Sequence, residues 1–470
     1  MAILDPSASI PLAAARYHGD QAVEPGMLDF AVNVRHAQPP AWVVQRLAAR
    51  LPDLARYPGA DDESAAIQAV AARHGRAGDG VALLTGTAEG FALLPNLRPT
   101  LAAVIAPSFT EPAVALRSAG VRVQHVVLER PFDLAGVQVP DDADLVVVGN
   151  PTNPTSVLHT REQILALRRP GRTVVVDEAF ADSIPGEPES LADEALPDVL
   201  VLRSLTKTWS LAGLRVGYAL GAPDVLAGLT AQRAHWPVGT LQLTAIAACC
   251  APDAVAEAAA GARRLAALRS EMVSGLRSAG VEPVDGNAPF VLFTVPDAEL
   301  IRKHLHTRGI AVRRCDTFIG LDGQYLRAAV RPEWPVLVEA IADIAKIGII
   351  DFQDTVLAPA AYDLVSLLQD ARIDVPEQLE LVLLTRYIKA RLGADQNFDP
   401  AHFAELYALM SAQRNTKLLG IFARLNRRDG KPQYLRHLPR IWTYLNRSLA
   451  HPALTPLREW YAVNVPPPSP

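Results

Sequence analysis

The chain has 470 residues, a formal net charge of −5, 50% hydrophobic residues and 20% charged residues. That length exceeds one ordinary core and fits two or three domains of globular composition. The slightly acidic balance gives no reason to expect nucleic acid as a partner, and no run of ~18 or more uninterrupted apolar residues reads as a membrane span.

Taken in chain order, the N-terminus MAILDPSASIPLAAARYHGD lacks a basic segment followed by an apolar core, so no signal peptide is read there. Residues 1–40 are punctuated by prolines and read as an arm belonging to a small domain. From about Ala82 to Ala222, short β-rich apolar runs alternate with helical stretches. The runs lie at 81–86, 102–109, 121–129, 144–151, 173–180, 199–207 and 215–222. Near-continuous apolar strands separated by helices predict an α/β fold with a mostly parallel sheet covered on both faces. Chemistry in such sheets collects at the carboxyl ends of the strands, where Thr85-Gly86-Thr87, Ser108, Asn150, Asp177 and Lys207 fall. Cys249 and Cys250 sit in an Ala/Ile-rich helical stretch and read as small buried thiols. With Cys315 they form neither a disulfide framework nor a metal spacing, so no metal is expected and a reducing cytoplasm is the simplest compartment. A long helix is expected from Ala254 to Gly280. Strand-like runs at 289–295, 309–315 and 324–330, with a helix near 298–308, then suggest a smaller α+β domain. The expected domains are a large one at 41–250, a small one at 251–345 joined by the arm, and a helical module at 346–470 with a proline-rich end.

Lysine usage singles out one residue. The chain has six lysines; Lys207 is the first, and four lie at or beyond Lys346. Arginine serves wherever only a positive charge is needed, so a lysine kept in such a background suggests an amine that must deprotonate and attack a carbonyl. Asp177 ends the apolar run Val-Val-Val-Asp177, and a buried carboxylate needs a partner. The turn Thr85-Gly86-Thr87-Ala88-Glu89-Gly90 joins a strand to a helix, an arrangement that presents backbone N–H groups to a phosphate.

Lys207 stands in Ser204-Leu-Thr-Lys207-Thr-Trp-Ser-Leu-Ala-Gly-Leu-Arg215-Val-Gly217-Tyr218, preceded in order by Gly149-Asn150-Pro151-Thr152-Asn153-Pro154-Thr155 and Asp177 and followed by Tyr-Leu-Arg327. Over roughly residues 15–345 this ordered set resembles the pyridoxal-phosphate-dependent class I/II aminotransferases, of fold type I. The resemblance implies that Lys207 holds pyridoxal 5′-phosphate as a Schiff base and moves protons at the substrate Cα, and that Asp177 pairs with the protonated pyridine nitrogen. It further implies that Gly86, Thr87, Ala88, Ser204 and Arg215 bind the cofactor phosphate, that Phe109 stacks on the ring, and that Asn150 donates to the phenolic oxygen. Tyr57 would reach the phosphate of a neighbouring subunit, which implies a homodimer. Asn33 and Arg327 would meet the substrate, the arginine gripping its α-carboxylate. Family members often carry tyrosine where this chain has Phe180, so one hydrogen bond to the cofactor is missing or replaced. The stretches Tyr-His18-Gly-Asp and Val-Arg313-Arg-Cys315-Asp-Thr-Phe318 are similar to the branch that includes threonine-phosphate decarboxylases, with histidinol-phosphate aminotransferases as near neighbours. The activity implied is transamination of a small amino acid, phosphorylated or not, with decarboxylation of a phosphorylated amino acid as the alternative.

Beyond Lys346, the segment Gly348-Ile-Ile-Asp351-Phe-Gln-Asp354 and the following Tyr362-Asp363 resemble part of the aminoglycoside-phosphotransferase-like sugar kinases, in which Asp351 would hold magnesium beside nucleotide phosphates. A nucleotide-binding lobe and a catalytic loop upstream are missing from the sequence, so this part reads as an incomplete kinase-like module without phosphotransfer activity.

Overall fold

The computed structural model describes residues 16–345, 359–395 and 398–467. The chain divides into two units, 1–348 and 349–470.

Seven strands of the first unit form one sheet: β1 Val81–Leu84, β2 Leu101–Ala106, β3 Arg122–Val127, β4 Leu145–Gly149, β5 Thr173–Asp177, β6 Val199–Ser204 and β7 Gly217–Leu220. Their spatial order is β1-β7-β6-β5-β4-β2-β3. The pairings among β3, β2, β4, β5 and β6 are parallel, while β7 is antiparallel to both β6 and β1. β2 and β6 are buried along their whole length, as strands covered on both faces must be; β2 is apolar throughout, and β6 is apolar up to buried Arg203 and Ser204. One core lies on each face of this sheet, with Val146, Val174 and Val201 packed on one side and Val147, Val175 and Leu200 on the other.

The helix Pro252–Ser278 leads to a four-stranded antiparallel sheet ordered Arg313–Arg314, Tyr325–Ala329, Phe290–Thr294, Glu282–Pro283. Phe30, Met272, Phe293 and Leu337 share its separate core. The arm joins this region: Leu28–Asp29 pairs in parallel with Ile310–Ala311. The arm also reaches the large sheet, because Arg35 N–H donates to the Lys207 carbonyl at 3.1 Å and His36 N–H donates to Ser210 Oγ at 2.9 Å. Cys249, Cys250 and Cys315 are free and buried.

The second unit, taken by itself, is helical, with helices at Ala361–Leu368, Glu377–Ala394, Pro400–Asp429, Leu438–Leu449 and Thr455–Asn464. Its interior is partly polar. Buried Glu380 accepts from Gln369 Nε2 and Tyr407 OH, both at 2.8 Å, and pairs with Arg447. A buried carboxylate is tolerable only with such partners. Asp351 and Asp354 lie outside the described residues, and among the described residues no cluster of ligating side chains could hold a metal ion. No single helix among the described residues is long and apolar enough to cross a membrane.

Candidate active site

The carboxyl ends of β5 and β6 open on a cavity of about 520 Å³. Asn33, Thr87, Ala88, Phe109, Asp177, Ser204, Lys207, Arg215 and Arg327 all line it. These residues come from points nearly 300 positions apart in sequence, and the strand ends, the arm and the antiparallel sheet bring them together.

Lys207 sits three residues beyond the end of β6, facing the cavity. Burial pushes its amine down to about 8, and Arg215 and Arg327 push in the same direction against Asp177 and Asp20. Asp177 ends β5. Its carboxyl accepts from Ala179 N–H at 3.1 Å, and burial raises it to about 7 against the pull of that hydrogen bond and of Lys207. An amine with a proton to give up therefore shares a cavity with a buried carboxyl that would welcome a cationic partner.

A second cluster gathers donors of the kind a phosphate takes. Gly86 has φ +85°, and a Cβ there would lie 3.1 Å from Arg215 Nη2, so only glycine lets the turn approach the guanidinium this closely. The turn is fixed by Glu89, which accepts from Thr85 N–H at 2.6 Å and from Thr85 Oγ at 2.9 Å. Arg233 holds Glu89 in turn and donates to the Leu83 carbonyl. Gly217 packs with no room for a Cβ, which would fall 2.6 Å from the Arg203 carbonyl and 3.2 Å from Gly86 Cα. These close approaches bring the turn, Arg215 and Ser204 to one corner.

On the opposite side Arg327 is buried. Its Nη2 donates to the Ala31 carbonyl at 2.7 Å, its Nη1 donates to Asn153 Oδ1, and its Nε has no partner. Asn33 Oδ1 is likewise buried and unpartnered. Buried polar atoms normally find partners, so these two mark where a bound group belongs. Arg313 also faces the cavity, held between the rings of Tyr17 and Phe318 at 4.7 and 4.9 Å. Phe180, where a tyrosine is common, packs edge-on against Phe290 at 5.1 Å, so that position closes the wall with apolar contact alone.

One of the expected contacts is placed elsewhere. Asn150 does not reach the cavity. Its Nδ2 donates to the carbonyls of His159 and Glu189 at 3.1 and 3.4 Å, and its Oδ1 accepts from His159 N–H at 2.8 Å. Because Asn150 directly follows β4, its amide ties the following loop together and leaves no donor for a ligand. The second asparagine of the motif, Asn153, lines the cavity and touches Arg327. The motif holds two Asn-Pro pairs, and their spacing alone does not tell which amide faces inward. We therefore expect Asn150→Ala to cost roughly 1–3 kcal/mol of stability through the unpaired groups it leaves, with the visible spectrum of the cofactor-loaded protein unchanged. Asn153→Ala, which takes an acceptor from buried Arg327, should shift that spectrum and also cost roughly 1–3 kcal/mol; thermal melts and absorbance scans of both variants check this. Tyr57, expected at the site of a neighbouring subunit, lies on the surface of this one, 74% exposed and stacked on Trp236 with ring centroids 4.2 Å apart.

Pyridoxal phosphate fits the residues present. They supply an amine opposite a carboxylate, a glycine–arginine corner for a phosphate, the Phe109 ring as a wall, and the orphaned Arg327 and Asn33 atoms beyond. Comparison with known proteins points the same way. A family model described as aminotransferase class I and II matches residues 25–335. A histidinol-phosphate aminotransferase of Mycobacterium tuberculosis is 73% identical over 338 residues, covering 72% of this chain and 93% of that protein. The crystal structure of the histidinol-phosphate aminotransferase from Clostridium acetobutylicum superposes with a TM-score of 0.63 at 22% identity, covering 68% of this chain and 99% of that one, which shows a shared fold. An N-acetylmuramate/N-acetylglucosamine kinase of Caulobacter vibrioides is 44% identical over 122 residues, covering 26% of this chain and 32% of that protein, in keeping with the kinase-like character of the C-terminal part. The chain belongs to the class I and II aminotransferases and is a pyridoxal-phosphate-dependent enzyme.

Proposed function

We propose that this enzyme transfers the amino group of histidinol phosphate, or of a closely similar phosphorylated amine, and that Lys207 is its catalytic residue. The observation that carries the substrate reading is the 73% identity to a histidinol-phosphate aminotransferase over 93% of that protein's length. The cavity agrees with a substrate anionic at one end, since Arg313 and Arg327 both face it in addition to Arg215.

Bound pyridoxal phosphate supplies an electron-withdrawing ring that accepts the electron pair released at the substrate α-carbon. Lys207 Nζ would hold that group and, when free of it, would move a proton at the substrate α-carbon, a task suited to an amine whose proton burial has loosened. Asp177 keeps a proton on the ring nitrogen through its negative charge. Ser204, Arg215 and the backbone of Gly86, Thr87 and Ala88 hold the phosphate. Phe109 covers one ring face. Asn153, in place of Asn150, is the amide nearest the reacting end. Arg327 takes the carboxylate of the amino-acid or keto-acid partner by its fork, and Asn33 lies beside it.

The enzyme works as a homodimer in the cytoplasm. Tyr57 and Trp236 form an exposed aromatic stack, and Leu51 and Leu54 beside Tyr57 are more than half exposed, an apolar surface that suits a subunit contact. Tyr57 then reaches the phosphate held by the other subunit. Sedimentation should show a dimer that Leu54→Asp converts to monomer. Tyr57→Phe should leave the dimer intact and weaken pyridoxal phosphate about tenfold, the worth of one hydrogen bond to a charged group. Retention of parental affinity would separate Tyr57 from the cofactor. The three buried free thiols accord with a reducing compartment.

The substrate is tested by following the yellow absorbance of the loaded enzyme while amines are added singly. Bleaching by histidinol phosphate, restored by 2-oxoglutarate, is the expected result. Carbon dioxide release from threonine phosphate without bleaching would replace transamination by decarboxylation.

A further inference from the structure

Directly beneath the cavity-facing ends of β5 and β6 lies an ion pair whose members do not line the cavity. Alternate residues of a strand point to opposite faces. Asp177 and Ser204 face the cavity, and their chain neighbours Glu178 and Arg203 turn to the other side of the sheet. Arg203 Nη1 lies 2.9 Å from Glu178 Oε2, with the two side chains 2% and 0% exposed. The backbone ladder continues here as well, with Glu178 N–H donating to the Leu202 carbonyl at 2.9 Å. Glu178 also accepts from Leu191 N–H at 2.7 Å and from Ser190 Oγ. Arg203 lies 2.6 Å from Glu187, which in turn meets Arg73 of the helix Ala60–His74 at 3.4 Å. The carbonyl of Arg203 is the atom against which Gly217 packs, and Gly217 in turn touches Gly86.

A fully buried pair of charges is not an economical source of stability, because desolvation of both ions offsets most of their attraction. Its position is informative instead. It bolts together the two strand ends that carry Asp177 on one side and Ser204, leading to Lys207, on the other. We propose that Arg203 and Glu178 are positioning residues that set the separation between Asp177 and the Ser204–Lys207 segment, and so the seat of pyridoxal phosphate. This rests on the roles given above to Asp177, Ser204 and Lys207.

The test is the double variant Glu178→Gln/Arg203→Met, which removes both charges of the pair at similar volume and leaves Glu187 with Arg73 as its partner. A pair that serves only the fold predicts parental cofactor behaviour whenever the variant folds. A positioning pair predicts a cofactor-free Tm close to the parent's, with pyridoxal phosphate leaving at least about tenfold faster and the visible circular dichroism of the bound cofactor reduced, since a misplacement of about 1 Å is enough for such effects. Parental release and dichroism in a folded double variant would overturn the proposal. If the double variant does not fold, Arg203→Lys keeps the charge and loses the fork; faster release and altered dichroism in it support the proposal, parental values overturn it, and failure of both variants to fold also overturns it by making the pair a requirement of the fold. A parent that takes up no pyridoxal phosphate would instead sink the functional reading on which this one rests.

Discussion

Replacing Lys207 by alanine should remove the yellow absorbance of the loaded enzyme and lower turnover by more than about 10⁴-fold, because one amine both holds the cofactor and moves the proton at the α-carbon. Arginine at this position should fare no better, since a guanidinium stays protonated. A spectrum and single-turnover rates on purified Lys207→Ala check this; persistent colour with turnover would move the assignment to another residue. Stability provides an independent signature. In the cofactor-free protein burial lowers the Lys207 amine from 10.5 to about 8. Between those values the unfolded chain binds the proton more readily than the folded one, so this group makes stability rise with pH across the window. Lys207→Ala should therefore flatten the increase in Tm between about pH 8 and 10.5 relative to the parent.

Asp177→Ala should cost on the order of 10²–10³-fold in turnover, with pyridoxal phosphate held more weakly, because the ring nitrogen loses the charge that keeps it protonated in a dry site. The sign of the pH effect follows from the carboxyl's raised value of about 7 in the cofactor-free protein. Below that pH Asp177 is protonated and must lose its proton before it can pair with a cationic ring, so cofactor affinity falls as pH drops through 7. The Ala variant lacks this component, and the difference between parent and variant in a titration of cofactor binding from pH 5.5 to 8 isolates it. Equal pH dependence, or near-parental turnover, would show that another group serves the ring nitrogen.

The C-terminal part forms a helical unit by itself. Its sequence resemblance centres on Asp351 and Asp354, which lie outside the described residues, and the described helices enclose a polar core around Glu380 that serves their own packing.

The parallel strands and the order of the chemical residues were legible in the sequence because both are local. A strand buried on two faces is mostly apolar, and polar residues after such a run mark its carboxyl end, which is how Asp177 stood out at the end of one run and Lys207 just beyond another. The scarcity of lysine sharpened the second of these. The antiparallel insertion of β7 between β1 and β6 was not legible, since an apolar run carries no sign of its direction. Nor was the choice between Asn150 and Asn153. The two sit in near-identical Asn-Pro pairs, and what separates them is that the carbonyls of His159 and Glu189 capture the first while Arg327, 174 positions away, meets the second. The pairing of Arg203 with Glu178 likewise needed the register of β5 against β6. By itself the sequence determined which residues end the strands and what chemistry they can perform. The tertiary structure decided which of them face one another, because the direction of a side chain leaving a turn depends on partners hundreds of residues away.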